Sequence, residues 1–339
     1  MSSARLTRTA AQLYAAILRR RARGFDAGRR PATRLPGAVV SIGNLSLGGT
    51  AKTPATILLG GELRQLGFRL DVLSRGYRRR RHQLAVALDG REPAALVGDE
   101  PRLLARRLAV PVVVDRLRSR AGLEAERRFH TNLHLLDDGF QHRQLARDFD
   151  LVLLHPDDLD DFLLPAGRLR EPLESLARAS AIVLLAEPGT AATLDRDGLQ
   201  NRVRRYSSAP LFFAQKRLPP PSVGVPVVAF CALARPASFF TGLERAGWQL
   251  AATVAFRDHH AYTARDLARL RRLLRHHCAA PATTEKDAMN LPEEHGLDRL
   301  EIIPLELDIE RLPELVELIA AACRRHLSVA ADAASEAGR

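Results

Sequence analysis

The sequence predicts an α/β protein in two parts: a mostly parallel sheet with flanking helices, then a second, smaller α/β domain. Three observations carry this expectation. From Gly37 to about Leu185 one phrase repeats, a short apolar run, a polar or glycine loop, then a helical stretch. The runs are continuous rather than alternating, as strands covered on both faces of a parallel sheet require. A stiff proline stretch, Leu218-Pro219-Pro220-Pro221-Ser222, then interrupts the chain, and the phrase restarts beyond it. With 339 residues there is ample chain for two cores without disulfide staples.

Residues 1–34 form a basic segment in which Leu6, Leu13, Tyr14, Ile17 and Leu18 share one helical face. Arg5, Arg8, Arg19, Arg20, Arg21 and Arg23 supply a positive rim. An interfacial helix needs this pattern, because apolar burial and attraction to anionic headgroups add together. A surface helix packed on its own domain is the alternative. Residues 35–217 make the first domain, with strands expected at Ala38–Ile42, Leu70–Leu73, Pro111–Val114, Leu133–Leu136, Leu151–Leu154 and Ala181–Leu185. Amphipathic stretches such as Pro54–Leu66 and Pro101–Ala109 supply crossover helices. Residues 218–222 are the linker and 223–328 the second domain. There the apolar runs are Pro226–Phe230, Leu250–Phe256 and Leu300–Leu307, and the helical ones Ser238–Ala246 and Ala264–His277. Residues 329–339 are small and polar and are expected to form a loose tail.

Composition narrows the function. A hydrophobic fraction of 46% with 27% charged residues excludes a disordered or fibrous chain. The formal charge of +12 fits nucleic acid, an anionic membrane surface or a polyanionic substrate. Aromatics make up only 5%, and no basic–aromatic interleaving is visible, so nucleic acid is not expected as a partner. Cys231, Cys278 and Cys323 form no CxxC pair, which excludes a disulfide framework or a cysteine metal knuckle and suits a reducing compartment. No apolar run approaches the roughly 18 residues that span a bilayer. The apolar stretch Ala10–Leu18 carries Gln12 and runs into Arg19, unlike a secretory signal. A soluble or peripheral protein on the cytoplasmic side is the expectation, with no obligate protein partner evident.

In open α/β sheets, ligands sit beyond the carboxyl ends of the strands. Four such ends carry polar residues here: Gly43–Pro54, Ser74-Arg75-Gly76-Tyr77, Asp115-Arg116 and Asp137-Asp138-Gly139-Phe140-Gln141-His142. The first looks like a phosphate cradle spanning Ser46, Leu47, Gly48, Gly49, Thr50, Ala51, Lys52 and Thr53. Glycines let backbone N–H groups approach a polyphosphate, a lysine reaches the β/γ oxygens and a threonine hydroxyl can ligate Mg²⁺. Ser46 and Ala51 occupy the glycine positions of the strict pattern, so a glycine-rich turn is the competing reading. Lys52 decides for the cradle: it is one of three lysines among forty-eight arginines, and a compact ammonium is what such a loop uses. Asp137-Asp138 resembles a Walker B strand end, carboxylates that manage Mg²⁺. Together these features specify the fold class as P-loop NTPase-like. Gly98-Asp99-Glu100-Pro101 opens a helix, where an N-cap is the plain alternative. Asp258-His259-His260 has no metal-ligand spacing around it, and zinc is not expected.

These segments, with Leu164-Pro165-Ala166-Gly167, Leu169-Arg170-Glu171-Pro172, Phe239-Phe240, Asp258-His259-His260-Ala261-Tyr262 and Thr283-Thr284-Glu285-Lys286-Asp287, resemble in content and order the tetraacyldisaccharide 4′-kinase family. The resemblance spans roughly residues 10–310. It implies transfer of the γ-phosphoryl group of ATP, with Mg²⁺, to the 4′-hydroxyl of a tetraacylated disaccharide 1-phosphate in lipid A biosynthesis. It implies a peripheral enzyme at the cytoplasmic face of the inner membrane, on its anionic surface. It assigns Asp99 as the base that takes the hydroxyl proton, assisted by His259. Lys52 and Thr53 match the P-loop, and Thr53, Glu100, Asp137 and Asp138 lie at the metal and phosphates. Arg116, Gln141, His142, Arg170 and Glu171 are substrate-side positions.

Three departures from the family pattern stand out. Ala51 replaces a glycine, Arg168 a proline, and Cys231–Pro236 follows the second-domain loop only loosely. If position 51 requires a positive φ, alanine costs about 1–2 kcal/mol there. A P-loop regulatory or partitioning ATPase acting on a protein partner is the competing function.

Overall fold

The computed structural model describes residues 2–48, 51–76, 79, 83–186, 194–233, 235–257 and 260–337. The chain divides into two compact units, Met1–Leu185 with Asp195–Phe213 and Ile309–Arg339, and Ala186–Leu194 with Ala214–Asp308.

The larger unit opens with α1 (Ser2–Asp26). There follow β1 (Ala38–Asn44), α2 (Lys52–Gln65), β2 (Leu70–Ser74), β3 (Ala85–Ala87), α3 (Ala94–Val97), α4 (Asp99–Leu108), β4 (Val112–Val114) and α5 (Arg118–Phe129). Then come β5 (Leu133–Asp137), β6 (Phe149–Leu154), β7 (Ala181–Ala186) and α6 (Arg196–Arg204), and within β8 (Leu211–Arg217) the chain passes from the residues of the larger unit to those of the smaller. The smaller unit carries β9 (Val227–Cys231), α7 (Pro236–Arg245), β10 (Leu250–Ala255), α8 (Ala264–His277), β11 (Ala280–Thr284), α9 (Glu285–Ala288) and β12 (Glu301–Ile303), and the chain returns to the residues of the larger unit within β13 (Glu306–Ile309). The chain ends in α10 (Leu312–Ala337).

The nine-stranded sheet runs β13-β8-β7-β6-β1-β5-β2-β4-β3. β1 is central, with all seven residues buried and parallel partners β5 and β6 on its two sides. Its register with β5 sets Ile42 opposite Asp137, so the phosphate-loop candidate and the paired aspartates leave adjacent strands at one edge. α2 buries Ala55, Thr56, Leu59, Gly60 and Leu63, a stripe at helical spacing. Gly60 lets α2 pack closely, since a Cβ there would stand 3.0 and 3.1 Å from the Leu108 and Leu135 side chains. The smaller sheet, β10-β9-β11-β12, is parallel throughout. One face packs Phe239, Leu243 and Trp248, the other Tyr262, Leu267 and Leu270.

Every expected strand of the first domain is present within two residues of its expected start, while β3, β8 and β11 were not foreseen. Leu300–Leu307 is two strands rather than one, β12 in the small sheet and β13 in the large one. Pro304 lies between them and has no N–H for a ladder. The segment expected to be a loose tail continues α10 through Ala337, because its alanines propagate a helix already started by a packed stretch. α10 belongs to the larger unit, packing on β1 and α2, with Leu315, Ile319 and Cys323 buried.

Candidate active site

β1 ends at Asn44, and the loop beyond it is tied down before it reaches the helix. Asn44 Nδ2 donates to the Ser46 carbonyl at 2.7 Å, and Leu47 N–H donates to the Arg168 carbonyl at 2.8 Å. Ser46 is buried, forms a bridge to Leu169 and hydrogen-bonds Asp158 through its side chain. Gly48 takes φ +114°, a conformation that side chains rarely adopt. Gly49 and Thr50 lie outside the described residues. Ala51 stands at φ 51°, ψ 28°, in the left-handed region, and α2 begins at Lys52 with no side-chain cap from Ala51. The positive end of α2 and its first-turn N–H groups, Thr53 among them, thus face the loop, a site for an anion.

Asp137 is the last residue of β5 and Asp138 follows it. The Lys52 ammonium donates to Asn44 Oδ1 at 3.1 Å and stands 3.5 Å from Asp138 Oδ1. Arg170 grips Asp138 with both nitrogens, at 2.8 and 2.7 Å, and also contacts Asn44 Oδ1. Burial opposes charge on Asp138, but Arg170 and Lys52 outweigh it and hold the carboxyl well below the usual range. Asp137 goes the other way. Burial raises its pKa first, and the neighbouring Glu100 and Asp138 raise it further against Lys52 and Arg118. Its side chain meets Ser74 Oγ at 3.5 Å. Asp137, Glu100 and Asp138 therefore concentrate negative charge that a hard, oxygen-seeking divalent cation would relieve. Among the described residues no three His, Cys, Asp or Glu side chains form a ready cage. Mg²⁺ needs only one or two carboxylates beside phosphate and water, so the donor set fits. Asp99 and Glu100 begin α4, after Gly98 at φ 94°.

On the substrate side the expected positions separate. Gln141 Nε2 donates to the Asn44 carbonyl at 2.8 Å, next to Arg170. His142 is partly buried, and burial together with Arg118, Arg147, Arg21 and Arg75 pushes its pKa down to about 4, so it is neutral at pH 7. Glu171 turns from Asp138 to Arg178 at 2.8 Å, whose guanidinium lies over the Phe140 ring. Arg116 is exposed, whereas Arg118 is buried and interacts electrostatically with Asp137 and Asp138. Burial lowers its pKa to about 10, leaving it charged at neutral pH. His259 lies outside the described residues.

Sequence reasoning missed Arg118 and Asn44 as site residues. Nothing marks one arginine among forty-eight. Asn44 had a signal, an amide in the polar segment that directly follows the expected strand Ala38–Ile42. α1 reaches the same neighbourhood, with Tyr14 Oη donating to the Arg170 carbonyl at 3.0 Å and Arg21 contacting the Gln141 carbonyl at 3.4 Å. Leu13 and Ile17, four residues apart, stay exposed at 65% and 56%.

Known proteins resemble this chain along most of its length. The sequence model of the family described as tetraacyldisaccharide-1-P 4′-kinase matches residues 3–324. The tetraacyldisaccharide 4′-kinase of Koribacter versatilis is 44% identical over 309 residues, 87% of this chain and 93% of that protein. The protein of that name from Anaeromyxobacter dehalogenans is 38% identical over 316 residues, covering 86% and 83%. Among solved structures, LpxK from Aquifex aeolicus in complex with ATP superposes with a TM-score of 0.74 at 29% identity, covering 92% of this chain and 97% of that one.

Proposed function

Because the chain belongs to the tetraacyldisaccharide-1-P 4′-kinase family, we propose that the P-loop edge of its larger unit transfers the γ-phosphoryl group of ATP to the 4′-hydroxyl of a tetraacyldisaccharide 1-phosphate. The observation that carries the assignment to this edge is the convergence of Lys52 and Arg170 on Asp138 beside the start of α2. Phosphoryl transfer is mostly positioning and charge neutralisation, so two cations beside an anion-binding helix end are the parts it needs. Ser46, Leu47, Gly48 and Ala51 form the described part of the cradle, with Gly49 and Thr50 assigned by sequence. Lys52 neutralises phosphate charge. Thr53, Glu100, Asp137 and Asp138 would hold Mg²⁺, which when bound supplies further neutralisation of the phosphate oxygens. Asp99 takes the proton of the attacking hydroxyl, and the assignment of His259 as its helper rests on sequence alone. Arg118, Gln141, His142 and Arg170 serve the anionic acceptor, with Arg116 at the exposed rim.

No described helix is long and apolar enough to cross a membrane. We place the enzyme on the anionic cytoplasmic face of the inner membrane through α1, whose Leu13 and Ile17 are exposed beside a rim of arginines. The test is incubation with radiolabelled ATP, Mg²⁺ and the lipid disaccharide 1-phosphate. A new phosphomonoester on the lipid is expected, and phosphate release from ATP without an acceptor product would favour a regulatory ATPase. Asp99→Ala should lower kcat by about 10²–10⁴ with ATP affinity little changed. Preserved kcat with a large loss of ATP affinity would reassign Asp99 to nucleotide or metal binding.

A further inference from the structure

Asn44 has no role in the chemistry outlined above, yet contacts from Lys52, Arg170, Gln141 and Ser46 all converge on it. It is fully buried at the last position of β1. Its Oδ1 accepts from the Lys52 ammonium at 3.1 Å and from Arg170. Its main-chain carbonyl accepts from Gln141 Nε2 at 2.8 Å and from Arg170 at 3.3 Å. Its Nδ2 donates to the Ser46 carbonyl at 2.7 Å. The orientation of the amide follows from these partners. Lys52 and Arg170 can only donate and the Ser46 carbonyl can only accept, so the oxygen must face the cations and the nitrogen the loop.

We propose that Asn44 is a positioning residue for phosphoryl transfer, whose neutral amide holds Lys52 and Arg170 side by side and couples their placement to the start of the phosphate loop. The proposal rests on the kinase reading and deepens it. Two cations brought together repel one another. Asp138 offsets their charge and grips Arg170 through two bonds, while it stands 3.5 Å from the Lys52 ammonium. A neutral acceptor on a rigid strand adds a fixed point to that geometry without adding charge. The Nδ2 bond makes the same side chain a stop for the loop, so cations and loop backbone share one reference point. A site whose supporting contacts loosen by about 1 Å loses on the order of 10² in rate.

The experiment compares Asn44→Ala with the isosteric Asn44→Asp in the full-length protein. It reads steady-state kinetics, affinity for a fluorescent ATP analogue, and the lysine ε-methylene NMR signals. Only three lysines exist, so ¹³C-lysine labelling gives a spectrum in which Lys52 is separable from Lys216 and Lys286. Asn44→Ala should cost about 30–100-fold in kcat with the KM for ATP changed by less than about threefold, and should shift the Lys52 signal alone. Asn44→Asp keeps the acceptor, loses the donor to Ser46 and adds a carboxylate that binds the ammonium harder. Nucleotide affinity should fall about tenfold or more, beyond what any fall in the melting midpoint accounts for. The aspartate variant keeps the shape of the buried side chain, which secures the test if the alanine variant does not fold. Parent-like kinetics and an unmoved Lys52 signal in both variants would overturn the proposal. So would losses of kcat and nucleotide affinity that merely track the fall in melting midpoint. If the parent fails to phosphorylate the lipid, the kinase reading falls, while nucleotide affinity and the Lys52 signal still decide the role of Asn44.

Discussion

His134 on β5 is fully buried between two carboxylates, Asp71 of β2 at 2.7 Å and Glu126 of α5 at 3.0 Å. Gly37 closes the third side: its N–H donates to Glu126 at 2.7 Å, and a Cβ there would stand 2.7 Å from His134 Nε2. Burial alone would lower the histidine pKa, but Asp71 and Glu126 outweigh it and raise it from 6.5 to about 9. A folded-state pKa above the unfolded one means that the folded protein binds the extra proton. The stabilisation is fully present below about pH 6.5 and is lost as the pH rises through about 9. At 1.36 kcal/mol per pH unit, that gap corresponds to about 3 kcal/mol of the larger unit's stability. Urea unfolding followed by circular dichroism between pH 6 and 10 should therefore show a midpoint that falls above about pH 6.5 and levels off beyond about 9. The only tryptophan, Trp248, is buried in the smaller unit and serves as an internal control that this group should not tilt. His134→Gln should lower stability at pH 6 by about 3–5 kcal/mol, since it leaves two carboxylates without their cation, and should flatten the alkaline slope. A midpoint level from pH 6 to 10, or an unchanged slope in His134→Gln, would refute the reasoning.

Lys52→Ala removes the ammonium from Asn44 and Asp138 and should lower kcat by about 10²–10³, with near-parent turnover counting against the phosphate-loop assignment. At position 51, alanine in the left-handed region costs about 1–2 kcal/mol relative to glycine, partly offset by glycine's freedom in the unfolded chain. Ala51→Gly should thus leave stability within about 1 kcal/mol, while Ala51→Val should lose more than about 2 kcal/mol; equal melting midpoints for the two would show that the conformation is relaxed in solution. Replacing both Leu13 and Ile17 by serine should weaken binding to anionic vesicles about tenfold or more, read by vesicle sedimentation, and unchanged binding would place the membrane contact elsewhere.

What the sequence determined by itself is what depends on neighbours along the chain. A run such as Ala38–Ile42 makes a buried strand wherever it is placed, and Ala264–His277 starts and stops as the helix its capping Thr263 and periodicity dictate. Loops that follow strands must lie at one sheet edge, so Lys52, Asp137 and Asp138 could be placed together before any coordinates existed. The strain at Ala51 was legible only as a condition, a cost if the position takes a positive φ, and the structure supplies the φ of 51°. The tertiary structure decided which side chains share a charge. Glu171 pairs with Arg178 instead of facing Asp138, and Arg118 rather than Arg116 lies buried toward the aspartates. Asn44 became the meeting point of Lys52, Gln141 and Arg170 only because β1 and β5 lie side by side and the Leu164–Arg170 loop folds back onto Leu45 and Leu47. α10 joined the larger unit because its apolar face fits β1 and α2, hundreds of residues earlier in the chain. Backbone hydrogen bonding and hydrophobic period are local and repeat, so they can be read from sequence. The partner of a charged side chain is chosen by distance and burial in space, and among forty-eight arginines the sequence offers no way to tell them apart.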